Sequence, residues 1–138
     1  MGKNKQLIKN LEIPIGISRS EVDAYARINY PLFSFKHLRD VSVKWCRDAS
    51  FLPDFLFRLR KLSELGWKEI DKSFRHSFGM EKIDRKRLKP QLPAGVTPEV
   101  PLFAFRAVGD NRPFVGFREG KVFHVVFIET AFGDIYDH

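Results

Sequence analysis

The chain has 138 residues, 43% of them hydrophobic and 14 of them Phe, so it is long enough for one packed core and too short for two ordinary domains. Its 24 Lys and Arg against 17 Asp and Glu give a formal net charge of +7, which favours polyanionic partners but also occurs in basic proteins without such a role. The single cysteine, Cys46, excludes an internal disulfide and a cysteine zinc site, and it predicts a reducing, cytoplasmic location. Because no apolar run approaches about 18 residues, we expect no membrane segment and no export signal.

The first third of the chain predicts an arm, a short helix and a strand. Residues 1–17 are basic at their start and are broken by Pro and Gly, which predicts a flexible N-terminal arm. A capping-box spacing of Ser and Glu then predicts a helix over 19–28. Residues 32–38 alternate Phe with polar residues, which is the period of a half-buried strand. Residues 41–46 alternate as well, so a hairpin and a strand leading into a helix both remain open.

The clearest helical pattern covers residues 51–65. Large apolar side chains recur there at the spacing of one helical face, and we expect that face to be buried. The predicted apolar stripe consists of Leu52, Phe55, Leu56, Leu59 and Leu62. The opposite side carries Arg58, Arg60, Lys61 and Glu64. Gly66 predicts the helix end, and a second helix over 67–74 completes a helical hairpin that covers one face of a sheet.

A basic and Pro-rich connection follows over 84–101. Five of the eight residues at 82–89 are Lys or Arg, a composition suited to phosphate contact but also typical of solvated linkers. The candidates for binding nucleic acid in this cluster are Lys82, Arg85, Arg87 and Lys89.

The C-terminal part predicts a three-stranded antiparallel meander. Three strand-like runs, at 102–108, 113–118 and 121–129, are separated by turn sequences at 109–111 and 119–120. We therefore expect residues 1–138 to form a single α+β domain, with the helical hairpin packed on a small antiparallel sheet.

The meander carries most of the side chains that bind phosphate or move protons. A guanidinium within an apolar strand needs solvent, an acidic partner or a phosphate, and an imidazole changes charge near neutral pH. The candidates are Arg106, Arg112, His124, Tyr136 and His138.

Each candidate also has a structural interpretation. Arg106 is also explained by an ion pair with Glu99 or Glu129, and His124 by a hydrogen-bonded place in the core. The closing Tyr and His are also explained by a tail without function.

The remaining polar signals assign no chemistry. Arg75, His76 and Glu81 form a second polar group near a helix end, with no assigned role. The four histidines lie far apart in sequence, so we expect no metal site and no cofactor. Phosphate-binding loops, dinucleotide-binding glycine motifs and nucleophile elbows do not occur in the sequence.

Residues 110–138, read as DNRPFVGFREGKVFHVVFIETAFGDIYDH, resemble the RelE/ParE-like toxins of bacterial toxin–antitoxin modules. The resemblance lies in an arginine-containing strand, a short turn, a hydrophobic strand and a closing tyrosine. The order of strand, helical hairpin and meander agrees with it. The chain departs from the family in its longer N-terminal part and in its Pro-rich connection.

The resemblance implies a RelE-like fold and a metal-independent endoribonuclease, or mRNA interferase, in which a ribose 2′-hydroxyl attacks the adjacent phosphate. It implies RNA as the substrate, often on the ribosome, and an acidic antitoxin as the partner. Arg106 or Arg112 would match the phosphate-stabilising arginine, and Tyr136 with His138 the polar C-terminal end. His124, His138 and Tyr136 are then the candidates for proton transfer. The alternatives are a non-catalytic nucleic-acid- or protein-binding protein of a mobile element, and a toxin that inhibits a protein target.

Overall fold

The structure, a computed structural model, describes residues 29–74 and 77–138. The predicted arm over 1–17 and the predicted helix over 19–28 lie outside these residues, as do positions 75–76. The described part is α+β, as the sequence predicts.

The described elements are five strands, two 3₁₀ turns and two helices. In chain order they are β1 (Leu32–Ser34), a 3₁₀ turn (Val43–Trp45), α1 (Phe51–Glu64), α2 (Trp67–Lys72), β2 (Glu81–Lys82), a second 3₁₀ turn (Arg85–Arg87), β3 (Phe103–Arg106), β4 (Pro113–Glu119) and β5 (Val122–Ile128). The strands form one sheet with the order β1-β5-β4-β3-β2.

The predicted C-terminal meander is confirmed, because β3, β4 and β5 pair antiparallel in sequence order. The turn between β4 and β5 begins at Gly120, whose φ of 61° is a backbone conformation that glycine adopts without strain. Gly116 lies beside an irregularity in the β4–β5 pairing, where a Cβ would collide with the backbone of His124. Glycine is therefore required for this close approach of the two strands.

The expectation of a wholly antiparallel sheet is wrong, because β1 pairs in parallel with β5. Short turns force antiparallel pairing inside the meander, whereas the two helices and three further strands separate β1 from β5 along the chain. A connection of that length permits either direction, so local sequence does not decide it. The sheet is mixed and has five strands.

The alternation at 41–46 does not produce a strand, and the hairpin alternative is wrong. The stretch contains the first 3₁₀ turn, and Ser42 beside it is buried. The Ser42 hydroxyl accepts a hydrogen bond from the Thr130 backbone N–H at 2.8 Å, and the Thr130 hydroxyl donates to the Ser42 carbonyl at 2.6 Å. This contact with the chain just after β5 sets the path into α1.

Helix α1 packs on the sheet through a face that differs from the predicted stripe. Its buried residues are Phe51, Phe55, Leu59 and Leu62. Leu52 and Leu56, which the sequence assigned to the buried stripe, are 58% and 65% exposed. Helix α2 ends at Lys72, before the predicted end at 74, because Ser73 is already extended.

The sheet buries apolar side chains on both of its faces. Phe105, Phe114 and Phe123 pack with the two helices on one face, with ring centroids 5.0 to 5.8 Å apart. Val115, the neighbour of Phe114 on β4, belongs to a second apolar cluster on the other face. The connection covers that second face with Val96, so it contributes to the core as well as joining two elements.

The C-terminal segment, residues 129–138, lies along the connection and is held to it by backbone contacts. Ile135 is fully buried in the second cluster. The backbone contacts are a bridge between Leu88 and Tyr136, the Lys89 N–H to the Ile135 carbonyl at 2.8 Å, and the Asp137 N–H to the Arg87 carbonyl at 2.8 Å. These contacts bring the end of the chain next to the basic cluster at 82–89.

Candidate functional site

A cleft with a volume of about 280 Å³ lies beside β3, between the connection and the C-terminal segment. It borders Phe105 and Arg106, the two residues of β3 that lie beyond the pairing with β2. Its polar lining consists of Glu81, Arg87, Arg106, Asn111, Tyr136 and His138. The cleft thus brings together Arg106, Tyr136 and His138, three of the four residues that the sequence nominated for catalysis.

Arg106 presents its guanidinium at the β3 side of the cleft. Its Nη2 donates to Asn111 Oδ1 at 2.8 Å, across the loop that joins β3 and β4. Burial, and then the positive charge of Arg106, lower the pKa of the Arg58 guanidinium. The positive charge of Arg106 therefore acts on the neighbouring helix α1 as well as on the cleft.

Arg58 was expected on the outer side of α1, and the structure instead places it half-buried against the neighbouring loop. Its guanidinium donates to the Ser77 carbonyl and lies 4.4 Å from the Phe78 ring centroid. The sequence offered no signal for this role, because the helical wheel cannot show which loop passes beside the helix.

Arg87 lies on the opposite side of the cleft, on the second 3₁₀ turn. Its Nη1 is 3.5 Å from the Tyr136 hydroxyl, and its guanidinium lies 5.8 Å from the Tyr136 ring centroid. The hydrogen bond with Tyr136 raises the pKa of Arg87, so this cation stays charged at the cleft. The pair presents a permanent positive charge beside a phenolic proton.

His138 is oriented by a carboxylate beneath it. Glu129 is fully buried, and its Oε1 lies 2.6 Å from His138 Nε2. Its Oε2 accepts the backbone N–H groups of Ile135 at 3.0 Å and Tyr136 at 2.8 Å. A hydrogen bond donated by Nε2 to this carboxylate leaves Nδ1 as the nitrogen that can accept a proton. Glu129 thus fixes both the imidazole and the C-terminal segment.

Glu129 was foreseen only as a partner for Arg106, and its contact with His138 was missed. A lone acidic residue at the end of an apolar strand was the available signal, since such a group needs hydrogen-bond partners when buried. Glu81, to which the sequence assigned no role, also lines the cleft.

His124 lies elsewhere, on β5, at the register positions of Phe117 and Ser34. Its imidazole stacks on Phe117 with ring centroids 4.8 Å apart and lies 5.4 Å from the His37 ring. Its Nε2 is 3.2 Å from Glu119 Oε1. His124 is partly buried and does not line the cleft, and its contacts are with an aromatic ring, a second imidazole and a carboxylate.

Arg112 is held in a network that ties three segments of the fold together. It contacts Asp48 at 3.0 Å and Asp110 at 3.1 Å, and it donates to the Thr130 carbonyl at 2.7 Å. The hydrogen bond with Asp110 raises the pKa of Arg112. Its guanidinium therefore joins the β3–β4 loop to the start of α1 and to the end of β5.

The basic cluster at 82–89 divides into two kinds of residue. Arg85 donates to the Thr97 and Val100 carbonyls, and Lys89 Nζ donates to the Gly133 carbonyl at 2.6 Å. These two hold the connection and the C-terminal segment in place. Lys82 and Arg87 are exposed, and Arg87 lines the cleft.

Within residues 29–74 and 77–138, no helix is long and apolar enough to cross a membrane, and no three His, Cys, Asp or Glu side chains cluster as metal ligands would. Comparison of the chain with family models, curated proteins and solved structures produced no match in any of the three.

Proposed function

We propose that the protein is a metal-independent endoribonuclease that cleaves RNA in this cleft. The observation that carries the proposal is the meeting of Arg106, Arg87, Tyr136 and a Glu129-oriented His138 around one volume of about 280 Å³. Cations that neutralise a phosphate and groups that exchange protons near neutral pH are what such a cleavage needs.

The proposed reaction begins with the ribose 2′-hydroxyl. His138 Nδ1 takes its proton while the oxygen attacks the adjacent phosphorus. Arg106 and Arg87 stabilise the negative charge that develops on the phosphate oxygens. The bond to the 5′-oxygen breaks, and the Tyr136 hydroxyl supplies the proton to that leaving oxygen. The products are a 2′,3′-cyclic phosphate and a 5′-hydroxyl.

The toxin–antitoxin assignment rests on the resemblance over 110–138 and on surface properties of α1. Leu52, Leu56 and Phe57 are 58%, 65% and 65% exposed on this helix. Exposed apolar residues of this kind mark surfaces that bind partners. An acidic antitoxin would also complement the net charge of +7. The same residues favour the second candidate, a non-catalytic binding protein.

The test is cleavage of a labelled single-stranded RNA by purified protein in the presence of EDTA. We expect 2′,3′-cyclic phosphate ends, and we expect Arg106→Ala to reduce the rate by about 100-fold or more because the cation that stabilises the transition state is removed. Arg60→Ala is the matched control, since this arginine is 74% exposed on α1 and pairs with Glu64 one turn away. The control should cleave at the wild-type rate.

Expression in growing bacteria provides a second measurement. The wild-type protein should arrest growth and break RNA, and Arg106→Ala should do neither. RNA binding without cleavage, both with and without ribosomes, would contradict the proposed activity and favour the binding protein.

A further inference from the structure

Phe132 is an exposed aromatic residue that contacts His138, one of the residues lining the cleft. It lies in the C-terminal segment and is 61% exposed. Its ring stacks on the imidazole of His138, with centroids 4.2 Å apart and planes within 16°. One face of the ring is therefore covered by a residue that lines the cleft, while most of the side chain faces solvent.

The loop that presents Phe132 is held by hydrogen bonds on both sides. The Asp134 N–H donates to the Ala131 carbonyl at 3.1 Å, across Phe132. Gly133, with a φ of 87°, accepts a hydrogen bond from Lys89 Nζ at 2.6 Å. The buried Glu129 fixes the chain just beyond it through the N–H groups of Ile135 and Tyr136. A ring held in this way loses little conformational entropy when a ligand stacks on it.

We propose that Phe132 is a nucleobase platform, on which one base of single-stranded RNA stacks while a neighbouring phosphate lies between Arg87 and Arg106. This inference rests on the proposed function. It assigns a residue that would hold the RNA next to the phosphate that is cleaved. Proteins bind single strands by joining a cationic track to exposed aromatic rings, because every base has a π-face. The platform accepts any base, so it selects for single strands and not for a sequence.

The experiment measures affinity for a mixed-sequence RNA oligonucleotide in which every ribose carries a 2′-O-methyl group. This probe lacks the attacking hydroxyl, so binding is separated from cleavage. Stacking on an aromatic side chain contributes about 1–3 kcal/mol per base, so Phe132→Ala should weaken binding roughly 5- to 150-fold. Phe132→Tyr keeps a ring and should retain wild-type affinity.

Two control variants test whether the affinity depends on the π-face of Phe132. One tests for an effect of apolar volume alone, and the other tests for an effect of losing any exposed phenylalanine. Phe132→Leu keeps apolar volume against His138 without a π-face, and it should weaken binding as Phe132→Ala does. Phe74→Ala removes another exposed phenylalanine, 83% exposed and just after α2, and should leave the affinity unchanged. In addition, a probe carrying 5-iodouridine should crosslink to Phe132 on irradiation, as mapped by mass spectrometry.

The outcomes distinguish this site from the proposed function. Wild-type cleavage of RNA together with unchanged probe affinity in Phe132→Ala would overturn the platform alone. Equal affinity of Phe132→Leu and wild type would also overturn it. Weaker binding by the Ala and Leu variants, without RNA cleavage by the wild type, would support the platform and overturn the catalytic proposal. A wild-type protein that neither binds the probe nor cleaves RNA would overturn both.

Discussion

Arg112 illustrates how one residue's role depends on its neighbours. Its guanidinium lies between Asp48 and Asp110 and also donates to the Thr130 carbonyl. Hydrogen bonds from Ser50 and then from Arg112 lower the pKa of Asp48 below its ordinary 3.8. Burial acts to raise the pKa of Asp110, but its hydrogen bonds from Arg112 prevail and lower it. Both carboxylates therefore contribute to stability when they are ionised.

These directions predict a decrease of stability in acid. A carboxyl group whose pKa is lower in the folded state contributes its full stabilisation above the unfolded value, here about 3.8, and loses it as the pH falls through the folded value. The Asp48→Asn variant lacks this group, so its free energy of unfolding should fall less steeply below pH 3.8. Urea unfolding followed at a series of pH values measures the slope. Parallel curves for the variant and the wild type would contradict the assignment.

At the scale of elements, α1 shows where a periodic pattern is ambiguous. Leucines and phenylalanines occur around much of this helix, so two neighbouring stripes are compatible with burial. The structure buries the stripe of Phe51, Phe55, Leu59 and Leu62 and leaves Leu56 outside. Packing on the sheet decides between the two stripes, and no local signal carries that information.

The difference between the stripes predicts opposite outcomes for two leucine substitutions. Leu59 is 8% exposed, so Leu59→Asp should unfold the protein, because it buries a charge without a partner. Leu56 is 65% exposed, so Leu56→Asp should change the free energy of unfolding by no more than about 0.5 kcal/mol. Circular dichroism and urea titration measure both. If Leu56→Asp unfolds the protein and Leu59→Asp does not, the assignment of the buried face of α1 is contradicted.

At the scale of the whole molecule, positive charge is divided between holding the fold and facing the solvent. Arg85, Lys89 and Arg112 bind carbonyl or carboxylate groups of the protein. Lys82 and Arg87 are exposed, and they are the cations of the basic cluster that we propose to contact RNA. The net charge of +7 therefore does not by itself give the number of cations available for the proposed RNA binding.

Two double variants with equal change in net charge test this division. Lys82→Gln with Arg87→Gln should reduce the log-log salt slope of RNA binding by about 0.7 for each phosphate that is no longer neutralised, with little change in melting temperature. Arg85→Gln with Lys89→Gln should lower the melting temperature, because carbonyls of the connection and of Gly133 are then left without their donors. Binding assays at several salt concentrations and thermal unfolding measure the two effects. Equal salt slopes for both pairs would show that total charge alone governs binding.

The sequence by itself determined the α+β class, both described helices and the three-stranded meander, because periodicity and turn residues act over a few neighbouring positions. It also nominated Arg106, Tyr136 and His138, since few side-chain types bind phosphate or exchange protons. Only the tertiary structure decided the parallel pairing of β1, the buried face of α1 and the place of His124 outside the cleft. It alone placed Glu129 beneath His138, because contacts between distant segments depend on packing that no local pattern records.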